Sequence, residues 1–224
     1  MIPTVTRRLA TAAGTSALAL AALLPSAPAH ATSPAARGAA ANCAFADETV
    51  RTPQWYRAHN PDWSNSRVQA TVTLNEAFAN SAVRCLVNAE RTARGLPALR
   101  EVLRLFDAAD AHTKAAKQIK WWTDGADFHV NPRTRSGPGD RVRAAGYCPS
   151  GTWQVLENVY QGWGTGGATP RAAVTWWMGS PPHRAAILDT RMAETGTSVR
   201  HGSARPNVTS DHQLVATQVF GVCR

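Results

Sequence analysis

Three polar residues between positions 129 and 183 are the strongest candidates for chemistry in this sequence. His129 lies in the string FHVNP, Glu157 in LENV and His183 in WWMGSPPHR. Each string places one ionisable side chain beside bulky apolar residues. A carboxylate and two imidazoles in such surroundings are costly to desolvate unless they hydrogen-bond, share protons or bind a metal. The three residues therefore form a candidate site, and the alternative is that each is a structural residue satisfied locally.

Hydrolytic chemistry would require a nucleophile held against a base, or a metal-bound water. Neither a Gly-x-Ser-x-Gly nor a His-Glu-x-x-His motif occurs. Ser180 lies three residues before His183, which we interpret as a Ser-Pro helix boundary, so no catalytic residue is assigned. The glycines at 162, 164, 166 and 167 lack the Lys-Ser/Thr ending of a phosphate loop. We therefore favour a non-enzymatic binding protein, and a metal-dependent hydrolase or protease is the alternative.

Residues 1–31 have the pattern of a secretory signal peptide. Arg7 and Arg8 precede a charge-free run from Leu9 to Leu24, and Ala-His-Ala follows at 29–31. The apolar run is shorter than the roughly 20 residues of a transmembrane helix, and no later stretch qualifies. We expect cleavage after Ala31 and a secreted, extracellular protein with no transmembrane segment.

The formal net charge is +9, and the basic residues are spread along the chain. A nucleic-acid-binding protein would concentrate them in a patch or an Arg-rich helix, so nucleic acid is excluded as a partner. A basic exported protein suits anionic wall polymers or lipid head groups, although the charge is equally explained by solubility.

The apolar spacing predicts helices packed around a small sheet. We interpret residues 32–74 as a disordered leader followed by an irregular extension, and 75–224 as the folded domain. The first long helix is predicted to begin near Ser66 or Asn75 and to end at Arg94. Residues 152–160 fit either a strand or an extended loop. Further helices are predicted over 99–122, 141–145, 170–178 and from after Pro182 to Leu188, and an antiparallel strand pair over 195–200 and 213–223. His112, on the apolar side of the second helix, is interpreted as a core residue.

Several strings taken in order resemble the CAP superfamily, also called the SCP/PR-1-like domain, of secreted bacterial proteins. They are CLVNAER at 85–91 with GLPAL at 95–99, HVNP at 129–132, Glu157-Asn158, the WM-x-SPPHR signature at 177–184, and Phe220-Gly221. The resemblance covers about residues 75 to 223. Each piece is weak by itself, but the ordered set is specific.

The resemblance implies an α+β fold, an α/β/α sandwich with a central antiparallel sheet. It also implies a surface cavity that carries His129, His183 and Glu157. Many members have a second cavity carboxylate, for which four residues are open: Asp124, Asp127, Asp140 and Asp189. The usual Glu-Asn-Ile-Ala is Glu-Asn-Val-Tyr in this sequence, which is expected to place the phenol of Tyr160 near the cavity.

The expected cofactor, if the cavity binds one, is a divalent metal such as zinc held weakly by His129 and His183. Glu157 would then orient a histidine or a bound water without contacting the metal. The expected partner is an extracellular ligand: a lipid, a sterol, a wall polymer or a protein. A monomer is expected. A purely structural envelope protein would bind neither ligand nor metal.

The four cysteines of an exported chain are expected to form two disulfides, for which three pairings are possible. We predict Cys43 to Cys85, because the N-terminal extension needs a tie to the first long helix. We predict Cys148 to Cys223, because the end of the chain needs a partner near the sheet. Each bridge is expected to stabilise the fold by about 3 to 5 kcal/mol.

Overall fold

The computed structural model describes residues 42–224, which place a four-stranded sheet between two layers of helices. The predicted signal peptide and leader, up to residue 41, lie outside the described residues. The helices are α1 (Pro53–His59), α2 (Asn65–Thr92), α3 (Leu103–Ile119), α4 (Pro138–Ala144), α5 (Gly164–Gly167), α6 (Pro170–Gly179) and α7 (Pro181–Leu188). The strands are β1 (Arg100–Glu101), β2 (Trp153–Trp163), β3 (Glu194–His201) and β4 (Gln213–Cys223).

The strand order is β1-β3-β4-β2. The β2–β4 and β3–β4 pairs are antiparallel, and the two-residue β1 adds a parallel pair beside β3. The predicted α+β class with an antiparallel centre is thereby confirmed. Strand β4 is buried from Gln213 to Gly221 because helices cover both of its faces, which explains its continuous apolar sequence. Strand β2 lies at the edge of the sheet.

Successive residues of β4 point to opposite faces and join different cores. Phe220 packs with Leu86 of α2 and Trp177 of α6. Val219 packs with Leu105 of α3 and Val142 of α4. The sheet is therefore the middle layer of the predicted α/β/α sandwich.

The N-terminal extension is more regular than the sequence predicts. Thr52 caps α1 by accepting a hydrogen bond from the backbone N–H of Trp55, and Pro53 is the first helical residue. The interpretation of residues 42–65 as irregular is wrong over α1, because seven residues are too few to show a helical period. Helix α2 begins at Asn65 behind its cap Ser64, so residues 65–74 belong to the folded domain.

Two helix starts differ from the prediction for local reasons. Helix α3 begins at Leu103, four residues later than predicted, because Arg100 and Glu101 pair with β3. Helix α4 begins at Pro138, and Asp140 lies inside its first turn and accepts a hydrogen bond from Gly137 N at 3.0 Å. The Thr169 cap and the Pro170 start of α6 are confirmed.

Helix α3 crosses β3 at very short range. A Cβ atom on Gly196 would lie 2.0 Å from the backbone nitrogen of Phe106. Only glycine permits this approach. The contact fixes the height of α3 above the sheet, and with it the position of His112.

Disulfides join Cys43 to Cys85 and Cys148 to Cys223, the predicted pairing, and residues 42–224 contain no free cysteine. The first ties the segment before α1 to α2. The second ties the loop before β2 to the end of β4. Within the described part of the chain, no helix has the length and apolar character needed to cross a bilayer.

Candidate functional site

Glu157 lies at the centre of a polar cluster on the edge strand β2, and its side chain is only 1% exposed. Arg141 Nη2 donates to both carboxylate oxygens, at 2.8 Å to Oε1 and 2.7 Å to Oε2. Nδ1 of His129 donates to Oε1 at 3.0 Å. The guanidinium of Arg141 therefore compensates the buried carboxylate charge, and His129 supplies a further hydrogen bond.

Arg141 also organises the loop that carries His129. Its Nη1 donates to the carbonyl oxygens of His129, at 3.0 Å, and Ser136, at 2.8 Å. The backbone N–H of His129 donates to Oδ1 of Asp127 at 2.8 Å. The imidazole, which is 38% exposed, is thus held from both sides on an otherwise irregular loop.

Burial opposes the ionisation of Glu157, but the hydrogen bonds from His129 and Arg141 outweigh it and lower the pKa of the carboxyl group. Glu157 is therefore ionised at neutral pH. As a carboxylate it accepts a hydrogen bond from the Nδ1–H group of His129. Nε2 is then the ring nitrogen of His129 that can offer a lone pair to a ligand.

His112 of α3 also contacts this polar cluster. Its Nε2 donates to the carbonyl of Phe128 at 2.8 Å and lies 3.9 Å from Oε1 of Glu157. Burial lowers the pKa of His112 to about 4. The imidazole is therefore neutral at physiological pH, and its contact with Glu157 is not an ion pair. Its Nδ1 is buried without a hydrogen-bond partner among residues 42–224.

His183 lies in the first turn of α7 and is positioned from β2 by Asn158. Nδ2 of Asn158 donates to the carbonyl of His183 at 3.0 Å. The ring Nδ1 lies 2.7 Å from Oγ of Ser180, and the ring packs 4.7 Å from that of Trp176. Burial, and to a lesser degree the charge of nearby His129, lower the pKa of His183. Two adjacent residues of β2 therefore contact the two histidines: Glu157 bonds the ring of His129, and Asn158 bonds the backbone of His183.

The model of the cysteine-rich secretory protein family, CAP, matches residues 85–223, more than half of the chain. The chain belongs to the CAP family. No curated protein matches the sequence.

Solved structures of low sequence identity are also similar to this chain. An extracellular protein containing an SCP domain from Bacillus anthracis is similar over 66% of this chain and 41% of its own, with 22% identity and a TM-score of 0.52. An outer surface protein from Borrelia burgdorferi has 17% identity over 63% of this chain and 90% of its own, with a TM-score of 0.49. A cysteine-rich secretory protein from Staphylococcus aureus has 16% identity over 65% and 38%, with a TM-score of 0.42.

Several residues of the CAP strings have structural roles. The side chain of Asn88 pairs with both the N–H and the carbonyl of Leu99. Arg91 is buried and donates to four backbone carbonyls, and Trp177 Nε1 donates to the carbonyl of Val159 at 2.9 Å. These residues hold α2, α6 and the loop after α7 in place, and none of these hydrogen bonds involves His129, Glu157 or His183.

None of the four aspartates considered as a second CAP cavity acid joins the histidines as a ligand set. Asp127 accepts from the backbone of His129, and Asp140 caps α4. Asp189 is bound by Arg191, and Asp124 is paired with Arg205 at the surface. Residues 42–224 contain no group of three or more His, Cys, Asp or Glu side chains that could hold a metal ion.

The donor set therefore does not fit a tightly bound or catalytic metal. Catalytic zinc sites use three protein ligands, whereas this cavity offers the imidazoles of His129 and His183. Both oxygens of Glu157 are occupied by Arg141, whose positive charge also opposes the approach of a cation. Glu157 instead accepts a hydrogen bond from Nδ1 of His129 and so orients its ring. An acid in this position would hold a histidine ligand without contacting the metal.

Tyr160 contacts Trp176, the ring neighbour of His183, and its hydroxyl is directed to Gly167. Its hydroxyl donates to the carbonyl of Gly167 at 2.8 Å, and its ring packs against those of Trp176 and Trp177. Burial raises the pKa of the phenol, which stays protonated. The hydroxyl makes no hydrogen bond to His129, Glu157 or His183.

Sequence reasoning missed two members of the cluster. Arg141 appears in the sequence only as part of a short helix, although it is the main partner of Glu157. His112 appears as a core residue, which describes its burial and omits its contact with the acid. The available signal was the polarity of both residues on otherwise apolar helix faces, which shows that each needs a partner but not which one.

Proposed function

We propose that this CAP protein is a non-enzymatic extracellular binding module that captures its ligand at the cavity formed by His129, Glu157 and His183. The observation that carries the proposal is the state of Glu157. Its two oxygens are taken by Arg141, and His129 donates to one of them. A general base or metal ligand must also be reachable by the reacting group, and this carboxylate is only 1% exposed. Glu157 is committed to holding the cavity together.

The extracellular assignment rests on independent features. Two disulfides form in the described residues, and disulfides persist in oxidising compartments. The predicted signal peptide at residues 1–31 supports the same location. The family description, cysteine-rich secretory protein, agrees with it.

A hydrolase is the second candidate, favoured by the 2.7 Å contact between Ser180 Oγ and His183 Nδ1. This distance suits a nucleophile and its base. A triad also needs an acid to orient the base from its other nitrogen. No described carboxylate hydrogen-bonds His183, and the buried acid of the cavity is bound to Arg141 and His129. The serine therefore serves the turn between α6 and α7.

We predict that the purified protein hydrolyses neither casein nor short peptides and esters above background. The Ser180→Ala and Glu157→Gln variants are expected to match wild type, since no nucleophile is activated. Fluorogenic peptide and p-nitrophenyl ester assays measure this. Wild-type activity that Ser180→Ala removes, with an unchanged circular dichroism spectrum, would establish the hydrolase instead.

Weak zinc binding by His129 and His183 stays a prediction, with solvent completing the coordination shell. The imidazoles must be neutral to bind, so zinc affinity should be fully present at about pH 7.5 and be lost in acid. Because burial lowers the pKa of His183, its share of the loss should come below the unperturbed value of about 6.5. Calorimetric titrations at pH 7.5 and 5.5 measure it. His183→Ala should weaken binding at least about tenfold, the effect of losing one of two ligands.

The matched control is His59→Ala, which removes an exposed histidine on α1 far along the chain from the cavity. It should leave the zinc titration unchanged. Equal heats from wild type and His183→Ala would show that the histidines are structural and that the module works without metal.

A further inference from the structure

A cavity lined mainly by aromatic rings lies next to the candidate site, because Trp176 of its lining packs against the ring of His183. Its volume is about 220 Å³, and its lining includes Trp122, Phe128, Tyr160, Gln161, Trp163 and Trp176. We call it the aromatic cavity. Trp176 belongs to both sites, because its ring also packs 4.7 Å from that of His183.

The aromatic cavity has a rigid interior and accessible outer rings. Trp122 and Phe128 are stacked, with ring centroids 5.6 Å apart and an interplanar angle of 20°. Trp163 and Trp176 are 47% and 51% exposed, and they are two of the few large apolar residues that the described chain leaves open to solvent. Exposed tryptophans grouped at one cavity indicate a binding surface.

Two polar atoms of the lining residues are buried without a partner. Nε1 of Trp122 is a donor, and Oε1 of Gln161 is an acceptor. The side chain of Gln161 lies against the backbone of Trp122, since its Nε2 donates to the carbonyl of Trp122 at 3.5 Å. Buried polar atoms normally have partners. Hydroxyl groups of a ligand suit both atoms, because a hydroxyl can accept from Trp122 Nε1 or donate to Gln161 Oε1.

The volume and the polar pair together restrict the occupant. A cavity of about 150 Å³ accommodates benzene, so 220 Å³ suits one substituted six-membered ring and not a long acyl chain. An apolar chain would also leave the donor and acceptor unpaired, which is unfavourable. Aromatic cages attract cations, but the lining contains no carboxylate, and its one charged residue is Arg205, which is paired with Asp124.

We propose that the aromatic cavity binds a single sugar ring of an extracellular glycan. The apolar face of the ring packs on Trp163 and Trp176 at the rim. Hydroxyl groups of the same ring bond Trp122 Nε1 and Gln161 Oε1 in the interior. The inference names the ligand class for the binding module and in that respect rests on the proposed function.

Saturation-transfer NMR with the methyl glycosides of glucose, galactose and N-acetylglucosamine tests the proposal on the full folded chain. At least one should bind with a Kd of about 1 mM, the strength expected for a small monosaccharide. Trp163→Ala and Trp176→Ala should each weaken it at least about fivefold. Trp122→Phe, which keeps a ring and removes the N–H, should weaken it about tenfold.

Trp63→Ala is the matched control, because Trp63 packs against Arg67 and Tyr56 and is not among the residues that line the aromatic cavity. It should leave glycoside binding unchanged. No transfer to any of the three glycosides at about 10 mM, tenfold above the expected Kd, would overturn the inference. Transfer to dodecanoate in their place would overturn it in favour of a lipid. Peptide or ester hydrolysis would overturn the proposed non-enzymatic function, but it would not decide whether the aromatic cavity binds a sugar.

Discussion

Replacing Arg141 with methionine is expected to lower the free energy of unfolding by about 3 to 5 kcal/mol, the cost of leaving a buried charge without its partner. Glu157 would keep its hydrogen bond from His129 and lose both contacts with the guanidinium. The carbonyls of His129 and Ser136 would lose a donor as well. Urea denaturation at pH 7 measures the loss.

Arg143→Met is the matched control, since Arg143 lies on the same helix and pairs with Asp140 at the surface. It should change the free energy of unfolding by less than about 1 kcal/mol. The double variant Arg141→Met with Glu157→Leu should recover much of the loss, because an apolar pair needs no compensation. Equal effects from Arg141→Met and Arg143→Met would show that the buried pair is not what holds the cavity.

The same pair gives the protein a defined pH dependence. The folded pKa of Glu157 is lowered, so its contribution to stability is present above the unfolded value of about 4.3 and is lost as pH falls through the folded value. In Arg141→Met the folded pKa rises, and acid destabilisation should begin at higher pH than in wild type. Urea midpoints measured between pH 3 and 7 compare the two.

Replacing Arg91 with methionine should lower the free energy of unfolding by about 3 to 5 kcal/mol, because several buried carbonyls lose their donor together. Arg91 is 1% exposed, and its guanidinium donates to the carbonyls of Pro97, Ile187, Asp189 and Met192 at 2.7 to 3.0 Å. It joins α2 to the loop after α7. Urea denaturation measures the loss, and amide exchange over residues 187–192 should become faster.

Arg94→Met, three residues further along the chain, is the control. Arg94 is partly exposed and pairs with Glu90 one turn earlier, so its loss should cost less than about 1 kcal/mol. Arg91→Lys tests the geometry, since lysine keeps the charge but cannot donate in a fork. Full stability of Arg91→Lys would show that charge alone suffices at this position.

Local signals in the sequence determined most of the secondary structure. Thr169-Pro170 specifies a helix start because the side chain caps the N–H groups and proline has a helical φ. The period of the apolar residues locates α2 and α3. The observed helix boundaries differ from the predicted ones where the backbone pairs with a distant strand, as Arg100 and Glu101 do with β3.

The ordered CAP strings also predicted His129, Glu157 and His183 as a candidate site, and the structure joins Glu157 to His129 by a hydrogen bond. What each residue contacts was decided only by the tertiary structure. The bond from Arg141 to Glu157 spans 16 positions, and the bonds from Arg91 to the loop after α7 span nearly 100. No local pattern encodes such pairs.

The aromatic cavity shows the same limit. Trp122, Gln161 and Trp176 lie on separate elements, and each alone looks like an ordinary packing residue. Sequence determines which elements form, because caps and periodicity act over a few residues. Only the packing of α3, α6 and β2 decides which polar atoms are left without partners and which rings face a common space, because those outcomes depend on contacts between distant segments.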